Sequence, residues 1–407
     1  RPGLKRHSAD AKGAALVTYA PAAMSEAIVK PRGQARVESG HPWIFRSDVE
    51  SVKARNGALV DVVAKGRLLG QALYSERSEI TLRMLSRGAL APTWLDDRID
   101  AAVKLREESL GLRGACRLVH GESDGLPGLV VDRYGDVLSI QILAAGMDAR
   151  RDEVRDALVK RLSPSGIVAR HDVKVREREG LSREVAVLHG TAPEHVEIRE
   201  GDVALLVDVR HGQKTGTFLD QSANHVAFGN LARGRVLDAF SHDGGFGLQA
   251  ARKTGVREVT AVDISAEALE RAGANAARNG VSLSTVEANV FDFLTEAVNA
   301  GERWDTIALD PPAFAKSRNA RDAAWRGYKE INRRALQLLR PGGILFTCSC
   351  SYHVSEEEFE GVVADAAADA GVTAQVIERR SQPPDHPVRL GMPESRYLKT
   401  LVVRRLE

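Results

Sequence analysis

From about residue 205 to the end of this 407-residue chain, short strand-like runs alternate with amphipathic helical stretches. RGRVLDAFS, VREVTAVDIS, STVEANV, RWDTIALD and GGILFTCSCS read as strands. GFGLQAARKTG, SAEALERAGANAARNG and residues 320–340 read as helices between them. Ser355 and Glu358 form a capping box that starts the helix EEEFEGVVADAAADAG, and TAQVIERR and RYLKTLVVRR close the chain as strands. Regular alternation of this kind predicts an α/β fold: a parallel, doubly wound sheet with helices on both faces.

Upstream the signals differ. Residues 1–23 are small, polar and basic, and read as a loose leader before a start at Met24. Over 25–93, the runs AIVKPRGQARVESG, GALVDVVAK, GRLLGQALYS and ITLRMLS are apolar or alternating and separated by turn residues, which predicts a small β-rich domain. At Pro92 the period changes to helical, with Gly111 as a stop, and short strands and another helix follow. Residues 94–200 therefore read as an α+β middle domain, and 201–407 as the doubly wound domain.

Composition removes several classes. With 43% hydrophobic and 28% charged residues the chain can bury a core, and 36 Gly, 15 Pro and 3 Cys fit neither a collagen nor a disulfide scaffold. No apolar run approaches the roughly 20 residues of a membrane-spanning helix. Three cysteines without a pairing pattern fit a reducing, cytoplasmic setting. Net charge is only +2, so any nucleic-acid surface must be local; 44 of the 57 basic residues are Arg, which suits phosphate and base contacts but equally reflects a GC-rich genome.

In a doubly wound sheet, ligands sit beyond the carboxyl ends of the strands. The first strand runs into DAFSHDGGFG, where Gly244, Gly245 and Gly247 permit a tight turn and close backbone approach, with Asp238, Phe240 and Ser241 beside them. The spacing is not G-x-G-x-x-G, so a dinucleotide pyrophosphate is disfavoured. The second strand ends at Asp263-Ile264, where a carboxylate can accept from both hydroxyls of a ribose or simply favour the next helix's N-terminus. Asn289 or Asp292, with Val290 and Phe291, follows the third strand at the place for an adenine edge. The fourth ends in Asp310-Pro311-Pro312-Ala313-Phe314, a carboxylate at the sheet rim beside an aromatic able to stack on a base. The fifth ends in Cys348-Ser349-Cys350: zinc lacks further ligands nearby, one cysteine is expected in the core, and the other is a candidate nucleophile. Cys116 reads as core. Before the sheet, Gln213, Lys214, Thr215 and Phe218 lie in a polar, glycine-punctuated loop suited to covering a ligand.

Jointly these pieces resemble the class I S-adenosylmethionine-dependent methyltransferases, which have a Rossmann-like fold. More narrowly they resemble the bacterial large-subunit (23S) ribosomal RNA cytosine-C5 methyltransferases with an N-terminal PUA domain. HPWIFRSDV (41–49) is similar to the family's PUA segment and RLVHGESDGLPGLVVDRYGD (117–136) to its middle-domain signature. GQKTGTFLDQ, DAFSHDGGFG, DPPAFAKSR and TCSCSY match its cofactor and catalytic motifs in order and spacing. The resemblance implies S-adenosyl-L-methionine as cofactor, ribosomal RNA as partner and a homodimer. It implies Cys350 as nucleophile, with Asp310 holding the base, and Pro311, Pro312 and Phe314 on the substrate side. The cofactor would lie against Gln213, Lys214, Thr215, Phe218, Asp238, Phe240, Ser241, Gly244, Gly245, Asp263, Ile264, Asn289, Val290, Phe291 and Asp310. Many RNA cytosine-C5 methylases carry a second Cys after the Pro of the fourth motif; here Pro312 and Ala313 stand there, so another base must release the product. Two rivals stay open: methylation of an exocyclic amine such as guanine N2, which needs no thiol, and a non-catalytic RNA-binding assembly protein.

Overall fold

The computed structural model describes residues 25–314 and 321–407. The expected leader and the Ala315–Arg318 part of DPPAFAKSR lie outside the described residues. The first domain is a six-stranded sheet in the order Trp43–Ile44, Leu82–Ser86, Arg67–Tyr74, Leu59–Ala64, Glu26–Val29, Val49–Lys53. One expectation fails there. AIVKPRGQARVESG is a strand only as far as Val29; Pro31–Glu38 is a helix. Pro31 occupies its first turn, where a missing N–H is harmless, and Lys30 before it is held extended, so strand and helix meet at that peptide. Gly33 and Val37 form the buried face.

The middle domain has a five-stranded sheet ordered Val185–Gly190, Gly166–Arg170, Val137–Ile142, Leu129–Tyr134, Ala115–His120, with the helices Trp94–Lys104 and Arg151–Leu162. The first of these helices ends in a widened turn, Leu105–Ser109, closed by Leu110 N–H donating to Leu105 C=O at 3.0 Å. A separate hairpin, His195–Glu200 with Val203–Asp208, follows. The boundary read at 200/201 falls inside its turn. The hairpin packs Ile198, Leu205 and Val207 with Tyr134 and Val137 of the middle sheet, and with Leu248 and Ala276 of the last domain.

The last domain carries seven strands: β1 (Gly234–Ala239), β2 (Val256–Asp263), β3 (Ser284–Glu287), β4 (Trp304–Leu309), β5 (Leu339–Ser349), β6 (Ala374–Arg380) and β7 (Lys399–Arg405). Its helices are α1 (Ser222–Leu231), α2 (Gly245–Ala251), α3 (Ala266–Arg278), α4 (Val290–Asn299), α5 (Arg321–Leu338) and α6 (Glu356–Ala370). The strand order is β3-β2-β1-β4-β5-β7-β6. β1 to β5 are parallel, but β7 inserts between β5 and β6 antiparallel to both, so the sheet is mixed rather than wholly parallel. α4, α5 and α6 cover one face, around Leu294, Tyr328 and Phe359. α1 and α2 cover the other through Phe228 and Phe246.

The segment between β6 and β7 reaches back to both upstream domains. Arg106, fully buried, forks onto both oxygens of Asp124 at 2.7 and 2.9 Å and donates to the C=O of Asp385 at 2.6 Å. Asp385 in turn accepts from Arg117 N–H at 2.8 Å, and His41 of the first domain lies 3.3 Å from Glu394. Replacing Arg106 with Met leaves the Asp124 carboxylate buried without its counter-charge. We expect a loss of about 3–5 kcal/mol, read as a lowered urea midpoint and Tm, with Arg106→Lys intermediate.

Candidate active site

β1 ends one residue before a sharp reversal. Phe240 (φ 64°) and His242 (φ 47°) both occupy the left-handed region that glycine ordinarily fills, and Gly244 (φ 83°) completes the turn into α2. Held conformations of this kind cost about 1–3 kcal/mol each and need surrounding bonds. Two carboxylates supply them. Asp238, fully buried in β1, accepts from Gly247 N–H at 2.7 Å. Asp263, at the end of β2, accepts from His242 N–H through one oxygen and from Ser265 N–H through the other, both at 2.9 Å. Burial pushes Asp238 up to about 7, against the opposing pull of Gly247 N–H and His225.

These loops and the ends of β3, β4 and β5 enclose one cavity of about 440 Å³. Of the residues read as functional, Lys214, Phe218, Phe240, Ser241, Gly245, Asp263, Ile264, Asn289, Val290, Phe291, Asp310, Pro311, Pro312, Phe314 and Cys350 line it. Gln213, Thr215, Asp238 and Gly244 do not, and neither does Asp292. Asp238 and Gly244 stand behind the wall and shape the turn. Gln213 is exposed and forms an isolated bridge with Gly216. Thr215 is buried against the middle domain, its hydroxyl donating to Asp132 at 2.5 Å and lying 3.0 Å from the Tyr134 hydroxyl. Arg117 holds that same Asp132 at 2.8 Å through two nitrogens. The 117–136 signature thus anchors the 212–221 loop.

The lining divides chemically. Toward β2 and β3 it is apolar with a few convergent polar groups: Ile264 is 71% exposed, beside Phe291, Asn289 and the Asp263 carboxylate. Ser241 Oγ and His242 Nε2 are buried and have no hydrogen-bond partner among the described residues. A nucleoside with a short charged tail suits that donor set, so the residues fit S-adenosylmethionine. Toward β4 and β5 lie Asp310, Pro311, Phe314 and Cys350. Phe314 packs on Tyr328, with ring centres 4.7 Å apart, which fixes its orientation. Burial raises the Asp310 carboxyl to about 6, with Asp220 adding to the effect and His225 opposing it.

Of the three cysteines, all described, only Cys350 reaches this cavity. Cys348 is fully buried 3.3 Å from Thr400 Oγ1, and burial pushes its thiol well up; Cys116 is buried in the middle domain. Cys350 lies just past the end of β5, half-buried, with Sγ 4.0 Å from the Pro311 C=O. Burial and then Asp310 raise its thiol to about 11, while Lys214 and Lys399 pull the other way.

Several site residues escaped the sequence reading. Asp220 binds Lys214 Nζ at 2.7 and 2.8 Å and accepts from the Tyr397 hydroxyl at 2.8 Å. Despite burial, Lys214 and His386 hold its carboxyl well below the usual range. His225 of α1 lines the cavity; burial favours its neutral ring, but Glu200, 2.7 Å away, outweighs this and raises its pKa. Lys399, buried in β7, donates to the C=O of Ser351 at 2.6 Å and of Tyr397 at 2.9 Å, and burial lowers it to about 8. Asp220 lay within a quoted motif and could have been singled out. His225 and Lys399 carried no local signal.

A family model for a PUA-like domain matches residues 27–87, and one for S-adenosylmethionine-dependent methyltransferases matches 118–404. Ribosomal RNA large subunit methyltransferase I of Aeromonas salmonicida is 43% identical over 377 residues, covering 89% of this chain and 95% of that protein. Its namesake from Shewanella amazonensis is 41% identical over 389 residues, covering 92% and 98%. Among solved structures, a protein of Streptococcus mutans described as a SAM-dependent methyltransferase shares the fold, with TM-score 0.80 at 22% identity over 94% of this chain and 100% of that one. SMU.776, described as a methyltransferase complexed with SAH, does so with TM-score 0.82 at 21% identity over the same shares. With that fold, that cavity and these relatives, the chain belongs to the S-adenosylmethionine-dependent methyltransferase family, in the group whose curated members are named ribosomal RNA large subunit methyltransferase I.

Proposed function

We propose that this enzyme methylates C5 of a cytosine in large-subunit ribosomal RNA, with Cys350 as a covalent nucleophile. The relatives' names supply the RNA substrate. One observation carries the chemistry: a single thiol shares a cavity with Asp310 and with the loops that follow β1 and β2. Asp263 would accept from the ribose hydroxyls, since each of its oxygens keeps acceptor capacity beyond its one backbone bond. Ile264, Asn289, Val290 and Phe291 would flank the adenine. Phe240, Ser241, Gly245, Lys214 and Phe218 would border the methionine end, with Asp238, Gly244, Gln213 and Thr215 supporting from behind.

Cytosine C5 is a poor nucleophile until the ring is activated. The Cys350 thiol first gives its proton to a base, a role open to ionised Asp310; the thiolate then attacks C6, forming an S–C6 bond and driving the C5=C6 electron pair toward C5 and the N3 edge. Asp310 faces that edge; its raised pKa keeps a proton within reach for N3, and its ionised form can accept from the N4 amine. Bound S-adenosylmethionine supplies an electrophilic methyl group for C5. A base then takes the C5 proton, and the returning electron pair re-forms C5=C6 and expels the thiolate. The target base must leave its stack to expose C6 to sulfur, so Pro311, Pro312 and Phe314 would bound a flipped cytosine. Methylation of guanine N2 would leave Cys350 idle, and its placement favours the C5 reading.

Replacing Cys350 with Ala should reduce methyl transfer to rRNA on the order of 10³-fold or more, while calorimetry finds S-adenosylmethionine affinity unchanged. Cys348→Ala should retain transfer. RNA carrying 5-fluorocytosine should trap the wild-type protein as a gel-stable adduct and leave Cys350→Ala free; absence of any adduct points to the amine reaction.

The thiolate can be titrated separately by alkylation with iodoacetamide. Asp310 is a nearby anion that raises the Cys350 pKa, so Asp310→Asn lowers it and should speed alkylation at neutral pH by about tenfold. Lys399 is a nearby cation with the opposite sign and a weaker effect, so Lys399→Met should slow alkylation by a smaller factor. Equal rates for both variants would remove these charges from the account.

A further inference from the structure

A second cavity, about 950 Å³, lies on the far side of the segment that carries Cys350. Cys350 and Leu398 face the active-site cavity, whereas Tyr352 and Lys399, next along the same two strands of chain, face the second one. Among the described residues the two cavities share no lining residue, and close neighbours in these two segments border one each. The 388–396 stretch and the start of α6 also line it, and Ser39 of the PUA-like domain borders the space.

Three features of this cavity match a splayed nucleotide strand. Tyr352 is 61% exposed and rests parallel on Tyr397, with centres 6.2 Å apart and planes at 17°. Tyr397 is fixed by its hydroxyl bond to Asp220, so Tyr352 offers a free aromatic face on a rigid base. Leu390, which also lines the cavity, is 93% exposed, beside Arg389, which donates to the Glu122 C=O at 2.7 Å. Leu390 thus adds exposed apolar surface to a cavity that already offers an aromatic face. Finally, Arg396 lines the cavity with its side chain 58% exposed, its only ion pair among the described residues an exposed one to Glu356 at 3.5 Å that a phosphate can displace; Glu394 lies 3.3 Å from His41, and Glu358 pairs with Arg321 and closes the capping box of α6.

Resting on the proposed function, we infer that this cavity holds the single-stranded ribonucleotide next to the target cytosine, its base stacked on Tyr352 against Leu390 and its phosphate met by Arg396. The placement has a mechanical consequence. A base held on one side of the Cys350 segment and a flipped cytosine on the other are kept unstacked from each other, so the neighbour's binding energy supports the flip.

The test uses the full-length protein and protein-free large-subunit rRNA, with binding read by filter retention in the absence of cofactor. Tyr352→Ala should weaken RNA binding about 5- to 150-fold, the range for losing one base stack, and Tyr352→Phe should restore it. Arg396→Ala should weaken binding and reduce the salt slope by about one counterion. S-adenosylmethionine affinity should be unchanged in all three, which separates a lost RNA contact from a damaged fold. RNA binding unaltered in both Tyr352→Ala and Arg396→Ala overturns the inference. Wild-type protein that binds rRNA, loses that binding with Tyr352→Ala, yet transfers no methyl to C5 would defeat the proposed reaction and leave this site standing. No affinity for RNA in any form defeats both.

Discussion

Where β1 and β4 lie side by side, with Asp238 opposite Ala308 and Ala239 opposite Leu309, the chain leaves the two strands toward opposite faces. After β1 it turns into α2, packed with α1 on one side; α5, which follows β4, lies on the other with α4 and α6. Adjacent loops that diverge leave a crevice above the sheet, and the cavity sits there. Each site residue is where it is because of this reversal. Asp263 and Asn289 approach from the β2–β3 side, Asp310 and Cys350 from the β4–β5 side, and the left-handed turn at Phe240 and His242 forms the floor between them.

The fourth wall comes from outside the sheet. Lys214, Phe218 and Asp220 belong to a loop with little structure of its own, yet they are held by bonds to buried groups. Thr215 is fixed by Asp132 and Tyr134 of the middle domain, and Asp220 by Lys214 and Tyr397. Buried ion pairs such as Arg117–Asp132 and Arg106–Asp124 add little net stability over apolar packing, but breaking one leaves an uncompensated charge. Their consequence here is registration: the middle domain, the covering loop and the β6–β7 segment are set in one arrangement around the two cavities.

Much of this was readable beforehand because it depends on local rules. The capping box at Ser355 and Glu358 forms as its spacing requires, and the glycine-rich turn opens α2. The expectation that one of Cys348 and Cys350 is core fits the fully buried Cys348, while Cys350, the one read as a nucleophile, borders the cavity. One segment departs from its expected form. Pro31–Glu38 looked like strand because its few apolar residues sit at no clear period, while the proline's effect on Lys30 decides the outcome. Asp238, read as bordering the cofactor, has its side chain turned inward to Gly247 N–H and stands behind the cavity wall.

The sequence by itself determined the alternation of strands and helices, the turns after each strand, and the kinds of side chain delivered to their ends, since these follow from backbone sterics and periodicity over a few residues. Only the tertiary structure decided that β7 inserts antiparallel between β5 and β6, that His225 and Lys399 come to lie near Asp310 and Cys350, and that His41 meets Glu394 across 353 residues of chain. Such contacts form because packing brings distant segments together and desolvates their charges. No short window of sequence carries that information, because the free energy that selects the partner belongs to the assembled core.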